Sequence, residues 1–585
     1  MEKQVYEFIS AQTGEKIVER RKCPGCGQEF AITDKDLEFY SKISPIFNGT
    51  RYEIPAPKLC PDCRQQRRLA RRNERKLYKR KCDLTDRTIV SIYAPESPYK
   101  VYNQPDRWSD KWNAMDYGRD FDFTRPFFQQ FTELARDVPK ISMYRDLTME
   151  NSDYANYWQY SKNLYLCVNC YHLEDSYYST SCFPLLHETE TTNIDCQDCS
   201  DSSDIYDCVS IKNSQKCFFC TNIEDCYDCR FCDEIIWCSY CICSTNKNNS
   251  KYLFLNNQVS PEEFENIKKR LLEDKNFFDE TSGKYNDLKK SSFYRADHNT
   301  QSENVSWDYI INCKNVHYSF FSWTTENAKF IYTSGYFAKN MYDGMNCWWY
   351  SDLAYELLHI HLCFKSAFLI DVDDCKDSYY CYQCYNSSNL FGCVWLRDKQ
   401  YCIFNTQYTK EDYETLIPKI IEHMKKYWER WEFFPVTISP FGYNETAANE
   451  FKHLDRETAL SAWFKRMDKE YPINVPDWIE LIRAQDLSDN INDVSDDILK
   501  KAIVCEVSWK PFRLIKWELD FYRKHNLPLP KHHPDIRHLE RVSQRSSKQI
   551  YLRTCSNCGK QIISIYPADS EFKVYCEDCY NKQSY

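Results

Sequence analysis

The sequence predicts a mainly β fold: two cysteine-rich parallel β-solenoid modules with helical connectors, flanked at both ends by tandem zinc ribbons. Three observations predict it. The middle of the chain sets cysteines and apolar residues in columns nine residues apart. That middle is duplicated at an offset of 149 residues, and each end carries paired Cys-x-x-Cys knuckles.

Composition sets the outer bounds. A chain of 585 residues is too long for one core and implies roughly three to five domains. With a formal net charge of −10, no whole-molecule basic field advertises a nucleic-acid partner. No apolar run approaches the roughly 18–20 residues that span a bilayer, which leaves no place for a membrane. The 15 Trp, 45 Tyr and 34 Phe bury too readily for a disordered chain. Only 11 glycines are present, so glycine-rich phosphate loops are essentially missing. The polar start Met1-Glu2-Lys3-Gln4 has no apolar signal region, so a cytoplasmic location is expected. In a reducing compartment, 32 cysteines read as metal ligands or buried thiols rather than disulfides.

At the N-terminal end, Cys23-Pro-Gly-Cys26 and Cys60-Pro-Asp-Cys63 form one knuckle pair. At the other end Cys555-Ser-Asn-Cys558 pairs with Cys576-Glu-Asp-Cys579. Two such knuckles aim four thiolates at one point and complete a closed tetrahedral site, which folds a chain rather than doing chemistry on it. Gly27 and Gly559 follow the first knuckle of each pair, where a positive φ is wanted.

The two ends are copies of each other. Cys23, Cys26 and Phe30 match Cys505, Ser508 and Phe512, and Cys60 to Arg64 match His533 to Arg537. Farther along, Cys82 and Ile89 to Tyr93 match Cys555 and Ile562 to Tyr566. Each end therefore holds a first-type ribbon followed by a second-type one. The second-type copy at residues 82–107 keeps Cys82, with Thr85, Asn103 and Asp106 in the other ligand places. The first-type copy at 501–548 has Cys505, Ser508, His533 and Ile536, and a Cys505–His533 pair joined by His532 is a weaker metal candidate. Two zinc ions per chain are expected, held by Cys23, Cys26, Cys60 and Cys63 and by Cys555, Cys558, Cys576 and Cys579.

The first ribbon, with Cys23-Pro-Gly-Cys26-Gly27-Gln28-Glu29-Phe30, Glu38-Phe39-Tyr40 and Cys60-Pro-Asp-Cys63-Arg64, resembles the bacterial "probable zinc-ribbon domain" family of unknown function. The resemblance covers about 45 residues, with a longer spacer between the knuckles than that family is expected to have. It implies zinc binding and no defined activity.

After Cys63 the chain turns strongly basic. Helical spacing places Arg64, Arg68, Arg71, Arg72, Arg75 and Lys79 on one stripe, with Arg67 beside it. Arginines in this pattern suit phosphate contacts with RNA or DNA. The competing reading is an intramolecular helix neutralised by the acidic body of the same chain.

In the middle, Cys199, Cys208, Cys217 and Cys226 share one nine-residue column and Cys220, Cys229 and Cys238 another. Two nonads, about 18 residues, would make one coil. The Gly-Gly-x-Gly-x-Asp rows of calcium β-rolls are missing. Within the duplication, Tyr252 to Glu265 matches Tyr401 to Glu414, and Ser260 and Thr409 each cap a helix with an acid three residues on. The cysteine columns read as small fillers of a narrow core. Metal or thiol storage is the alternative, with Cys226, Cys229, Cys232, Cys238 and Cys241 as its densest group.

The expected organisation is a first-type ribbon with basic helix (1–81), a degenerate second-type ribbon (82–107), a helical connector (108–150), solenoid and helix twice (151–290 and 291–430), a helical linker (431–500), a degenerate first-type ribbon (501–548) and an intact second-type ribbon (549–585). The function expected of it is a non-enzymatic zinc-containing binding or scaffold protein, with a nucleic acid or a protein as partner. A solenoid-groove hydrolase or lyase is the alternative, with acids such as Asp371, Asp373 and Asp374 at hand. No nucleophile–base pair or open metal site accompanies them.

Overall fold

The computed structural model describes residues 3–145, 147–157, 160–184, 190–334, 338–344, 347–358, 360–546 and 549–584. The chain forms two compact units, each assembled from separated stretches. The first comprises Met1–Met143, Arg295–Met467 and Ser546–Cys576; the second comprises Tyr144–Tyr294, Asp468–Arg545 and Glu577–Tyr585.

The β body of the second unit is a stack of short parallel strands. Asn193 lies opposite Ile205, Val209 opposite Thr221, Thr221 opposite Asp233 and Asp233 opposite Thr245. Each partner stands twelve residues along, the interval that also separates hydrogen-bonded side chains such as Asn163 and Asp175. The eighteen-residue coil expected from paired nonads is thus replaced by a twelve-residue one. The body of the first unit is an eleven-stranded, mainly parallel sheet that repeats the interval where Asp373 faces Tyr385 and Ser388 faces Gln400.

The unit beneath both intervals is three residues long. From Asp195 to Leu255 every third residue has a positive φ, and the same rhythm runs from Lys365 to Phe404 with Gly392 in step. Asn and Asp carry many of these positions, as their short polar side chains tolerate the left-handed region. The following residue of each triplet points inward: Cys196, Cys199, Ile205, Cys208, Ile211, Cys217, Cys220 and Ile223 all belong to one buried cluster. Nine and twelve are both multiples of three, so nine-residue columns survive in the sequence although the chain stacks at twelve.

Cysteine suits these inward positions for a polar reason as well as for its size. Cys226 Sγ donates to Glu224 O at 3.2 Å, and Cys232 Sγ to Arg230 O at 3.3 Å and Cys241 O at 3.4 Å. Serine does the same: Ser214 Oγ donates to Lys212 O at 2.8 Å and accepts from Cys226 N at 3.0 Å. The thiols and hydroxyls satisfy carbonyls inside a tight coil.

The C-terminal ends of the two bodies correspond in atomic detail. Each body ends in an antiparallel hairpin, Leu253 facing Gln258 and Cys402 facing Gln407. Asn256 Oδ1 accepts from Thr245 N at 2.9 Å, and Asn405 Oδ1 from Val394 N at 2.8 Å. Helices Pro261–Glu273 and Lys410–Lys426 follow, capped by Ser260 and Thr409, whose side chains accept from Glu263 N and Asp412 N.

One helical expectation is corrected and a second is met in part. The basic helix spans only Pro61–Leu69; Asn73 then closes a turn by accepting from Lys76 N, and Tyr78–Lys81 is a strand. The connectors hold helix Phe127–Asp137 and the short helices Ala447–Phe451 and Arg456–Ser461, with irregular chain between. Pro139 stands two residues past helix Phe127–Asp137 and keeps it from continuing.

Candidate metal centres

Four hairpin turns share one backbone pattern. Cys23 N donates to Gln28 O at 2.8 Å and Gly27 N returns to Cys23 O at 2.8 Å. The same two bonds join Cys82 with Arg87 and Asp86, Cys505 with Lys510 and Trp509, and Cys555 with Lys560 and Gly559. The residue closing the turn is left-handed in all four: Gly27 at +75°, Asp86 at +57°, Trp509 at +57° and Gly559 at +74°. The fourfold correspondence drawn from the sequence is therefore present as geometry.

Two of the four turns carry a complete set of thiols. Cys60 caps helix Pro61–Leu69 and places Cys63 in its first turn, facing Cys23 and Cys26. The four sulphurs lie within 4.8 Å of one another, with Cys26 Sγ 3.6 Å from Cys60 Sγ. A Cβ on Gly25 would stand 3.3 Å from Cys63 Sγ, so the knuckle wraps the sulphurs closely. At the other end Cys555, Cys558, Cys576 and Cys579 gather within the same limit, with Cys558 Sγ 3.8 Å from Cys576 Sγ. A tetrahedral ion with metal–sulphur bonds of about 2.3 Å needs sulphurs about 3.8 Å apart. Both groups fit, and each could hold one metal ion.

The local electrostatics favour thiolate at one sulphur of each group, while in the first group burial pushes Cys26 up to about 11 and the hydrogen bond with Cys60, together with burial, pushes Cys63 up. A hydrogen bond from Cys63 brings Cys60 down to about 5. Burial works against the Cys555 thiolate, but backbone N–H groups of Cys558, Cys576 and Asn557 outweigh it and hold the group at about 6. The second knuckle also feeds a backbone donor to the first: Cys60 N reaches Cys23 Sγ at 3.4 Å and Cys576 N reaches Cys555 Sγ at 3.3 Å.

In the other two turns hydrogen bonds stand where ligands would. Asn103 N donates to Cys82 Sγ at 3.2 Å and Thr85 Oγ1 to Asp106 Oδ2 at 3.2 Å, with Asp106 Oδ2 4.0 Å from Cys82 Sγ. Ser508 N donates to Cys505 Sγ at 3.4 Å. His533 caps the following helix by accepting from Asp535 N at 3.1 Å, and His532 Nδ1 lies 2.7 Å from Glu540. Cys505, His532 and His533 do not assemble into a metal-holding group, and neither do Cys226, Cys229, Cys232, Cys238 and Cys241, among the described residues.

The arginines after Cys63 are placed inward rather than toward solvent. Arg64, Arg68 and Arg72 are fully buried, and Arg71 nearly so. Arg64 Nε donates to both oxygens of the buried Asp343 at 3.0 and 2.9 Å, and Arg68 Nη1 to Oδ1 at 3.1 Å. Arg67 Nε reaches Glu356 at 3.0 Å, Arg71 donates to Phe434 O and Pro435 O, and Arg72 pairs with Glu74. Arg75 is half-buried, and only Lys79 of the predicted stripe is exposed. As an accessible phosphate-binding stripe the segment is corrected: its guanidinium groups are held by carboxylates and carbonyls of the same unit.

The second unit repeats this clamp with Cys505 alone in place of four cysteines. Arg537 and Arg541, matching Arg64 and Arg68, both pair with the buried Asp195, and Arg545 Nε pairs with Asp198 at 2.6 Å. Asp343 and Asp195 both occupy left-handed positions, φ 59° and 53°. Sequence reasoning missed Asp343, Glu356, Asp195 and Asp198. The signal that points to them is the arginine spacing, which persists in the copy whose knuckles have decayed. Asp371, Asp373 and Asp374, named as possible catalytic acids, lie on or beside strand Val372–Lys376 with no metal-holding group around them among the described residues.

Comparison with protein-family models, with curated proteins and with solved structures finds no match. No helix among the described residues is long and apolar enough to cross a membrane.

Proposed function

We propose that this protein is a non-enzymatic, zinc-stapled binding scaffold: two β-solenoids, each gripped by a ribbon-type module, with one zinc ion in each intact four-cysteine knuckle pair. The observation that carries this reading is the clamp. A helix supplies arginines four residues apart to a buried aspartate in both units, whether its knuckle keeps four cysteines or one. Gripping the β body is then the retained task of the module, and the metal fixes the start of the helix that performs it. Four thiolates in a closed cage suit Zn²⁺ and leave no open position for a substrate. The thiol store is disfavoured by the thiols themselves, which are committed to backbone carbonyls.

Elemental analysis of the native protein tests the reading, with two zinc per chain expected. Stripping with a strong chelator should release two zinc and speed amide exchange in Pro61–Leu69 while the stacked strands stay protected. Metal in large excess of two would favour sequestration and overturn it. RNA or DNA binding that falls steeply with salt and is lost on reversing Arg67 and Arg71, with folding intact, would restore the nucleic-acid reading instead.

A further inference from the structure

The first unit contains a small cavity of about 50 Å³ between helix Phe127–Asp137 and the body strands, lined by four cationic side chains, Arg71, Arg136, Lys140 and Lys465, and by no carboxylate. Two phenols, Tyr99 and Tyr382, complete its polar wall. Lys140 is the decisive residue. It is 2% exposed, and its ammonium lies 4.6 Å from the Tyr382 ring and 5.7 Å from that of Tyr99. Among the described residues no oxygen accepts a hydrogen bond from it.

The neighbours leave further donors free. Arg71 spends one terminal nitrogen on Phe434 O and Pro435 O, and its Nε is buried without a partner. Lys465 Nζ gives one of its three hydrogens to Ser439 O at 2.7 Å. Arg136, half-exposed at the rim, bonds Asp137 through Nε at 3.1 Å. A buried ammonium with no anion is costly, and burial together with the Arg107 guanidinium pushes Lys140 down to about 7. Of the four cations only Arg136 has a carboxylate within ion-pair distance among the described residues, Asp137 outside the lining, so positive charge dominates the wall.

We propose that this cavity binds a tetrahedral oxyanion, a phosphoryl or sulfuryl group, with Lys140 as its central donor and Arg71, Lys465 and Arg136 around it. The volume admits the anionic group and excludes a nucleotide base or sugar. Arg136 at the rim leaves room for a free ion or for the end of a small monoester. The site is separate from the four-cysteine cages.

The test is a titration of the full zinc-loaded chain with inorganic phosphate at constant ionic strength, chloride being the exchanged ion, read by calorimetry and by thermal shift. Saturable binding and a rise in melting temperature are expected. Glycerol phosphate in a second arm distinguishes the sources: comparable affinity marks a monoester site, and phosphate-only binding a site for the free ion. Lys140→Met should raise the melting temperature without phosphate, because an unpaired buried charge is removed, and should weaken phosphate at least tenfold. Arg136→Glu, at the exposed rim, should weaken phosphate with the fold untouched. A purely structural lysine would instead lose stability on K140M. Absence of saturable binding in the unaltered chain, or equal binding in both variants, would overturn the proposal.

Discussion

Asp343 is the residue whose loss should be felt most sharply. It is fully buried and receives hydrogen bonds from two guanidinium groups, Arg64 and Arg68, that are themselves 1% and 0% exposed. Asp343→Asn preserves shape and removes the charge, leaving two buried cations with one neutral acceptor. Removing one partner of a buried pair costs about 3–5 kcal/mol, a large fraction of the roughly 5–15 kcal/mol that stabilises an ordinary domain. At about 1.4 kcal/mol per factor of ten, amides of Pro61–Leu69 should exchange on the order of 100–3,000-fold faster. Global melting is the poorer assay, since a chain with two compact units need not unfold in one step. Hydrogen exchange read by mass spectrometry resolves the helix directly. Combining D343N with Arg64→Met and Arg68→Met should recover much of the protection, because removing both cations along with the anion leaves no stranded charge. Asp195→Asn should loosen helix Pro534–Gln544 in the same way. A change under about tenfold in D343N would refute the clamp as the tie between module and body.

Other outcomes follow from the same contacts. Glu518 is buried, and burial raises its carboxyl to about 7 against the opposing Arg537 and the Tyr522 and Tyr178 hydroxyls. The folded state therefore holds this proton longer than the unfolded one. The contribution is greatest below about pH 4.5 and is lost as pH rises through about 7, a loss on the order of 3 kcal/mol. Glu518→Gln should flatten that decline, measured as exchange protection of helix Lys516–Lys524 between pH 4.5 and 8, and an unchanged profile would contradict it. In the stacked body, Cys229 Sγ donates to Tyr227 O at 3.5 Å, a bond serine can reproduce as Ser214 does. Cys229→Ser should cost under about 1.5 kcal/mol, whereas Ile235→Ser, which removes buried apolar surface, should cost about 3. Denaturant unfolding followed by the body strands checks both, and a reversed order would mean that the thiols pack only as apolar filler.

Much of this was legible before any coordinate. The knuckle spacing located both four-sulphur groups because ligand geometry is local: three residues fix two thiols on one turn. The match between the ends of the two bodies was legible because corresponding residues keep their side chains, down to Asn256 and Asn405. The coil period was not, since nine-residue columns are an alias of a three-residue rhythm. Only the pairing of Asn193 with Ile205 and its successors selects twelve. Nor could the fate of the basic run be read locally. Ten basic residues in eighteen look like a solvated face until a buried acid 279 positions away is seen to meet Arg64.

The two degenerate turns show how the same hairpin stands without a full set of thiols. At Cys82 the chain keeps the hairpin, the left-handed Asp86 and the backbone bond onto sulphur, with Asp106 and Thr85 bonding each other where thiolates would sit. Next to it, Arg107 lies between the rings of Trp112 and Trp395 at 3.8 and 3.5 Å. In the intact copy Tyr580 stands in the place of Arg107 and bonds Asn246, the body residue 149 before Trp395. A docked turn has its conformation fixed from outside, so any metal's share of the folding free energy shrinks once side chains such as Arg107 or Arg537 hold the module down. The module with four thiols is docked as well, through Arg64 and Arg68 on Asp343. Metal and docking therefore add where both are present, and docking alone holds the turns that lack a full set of thiols.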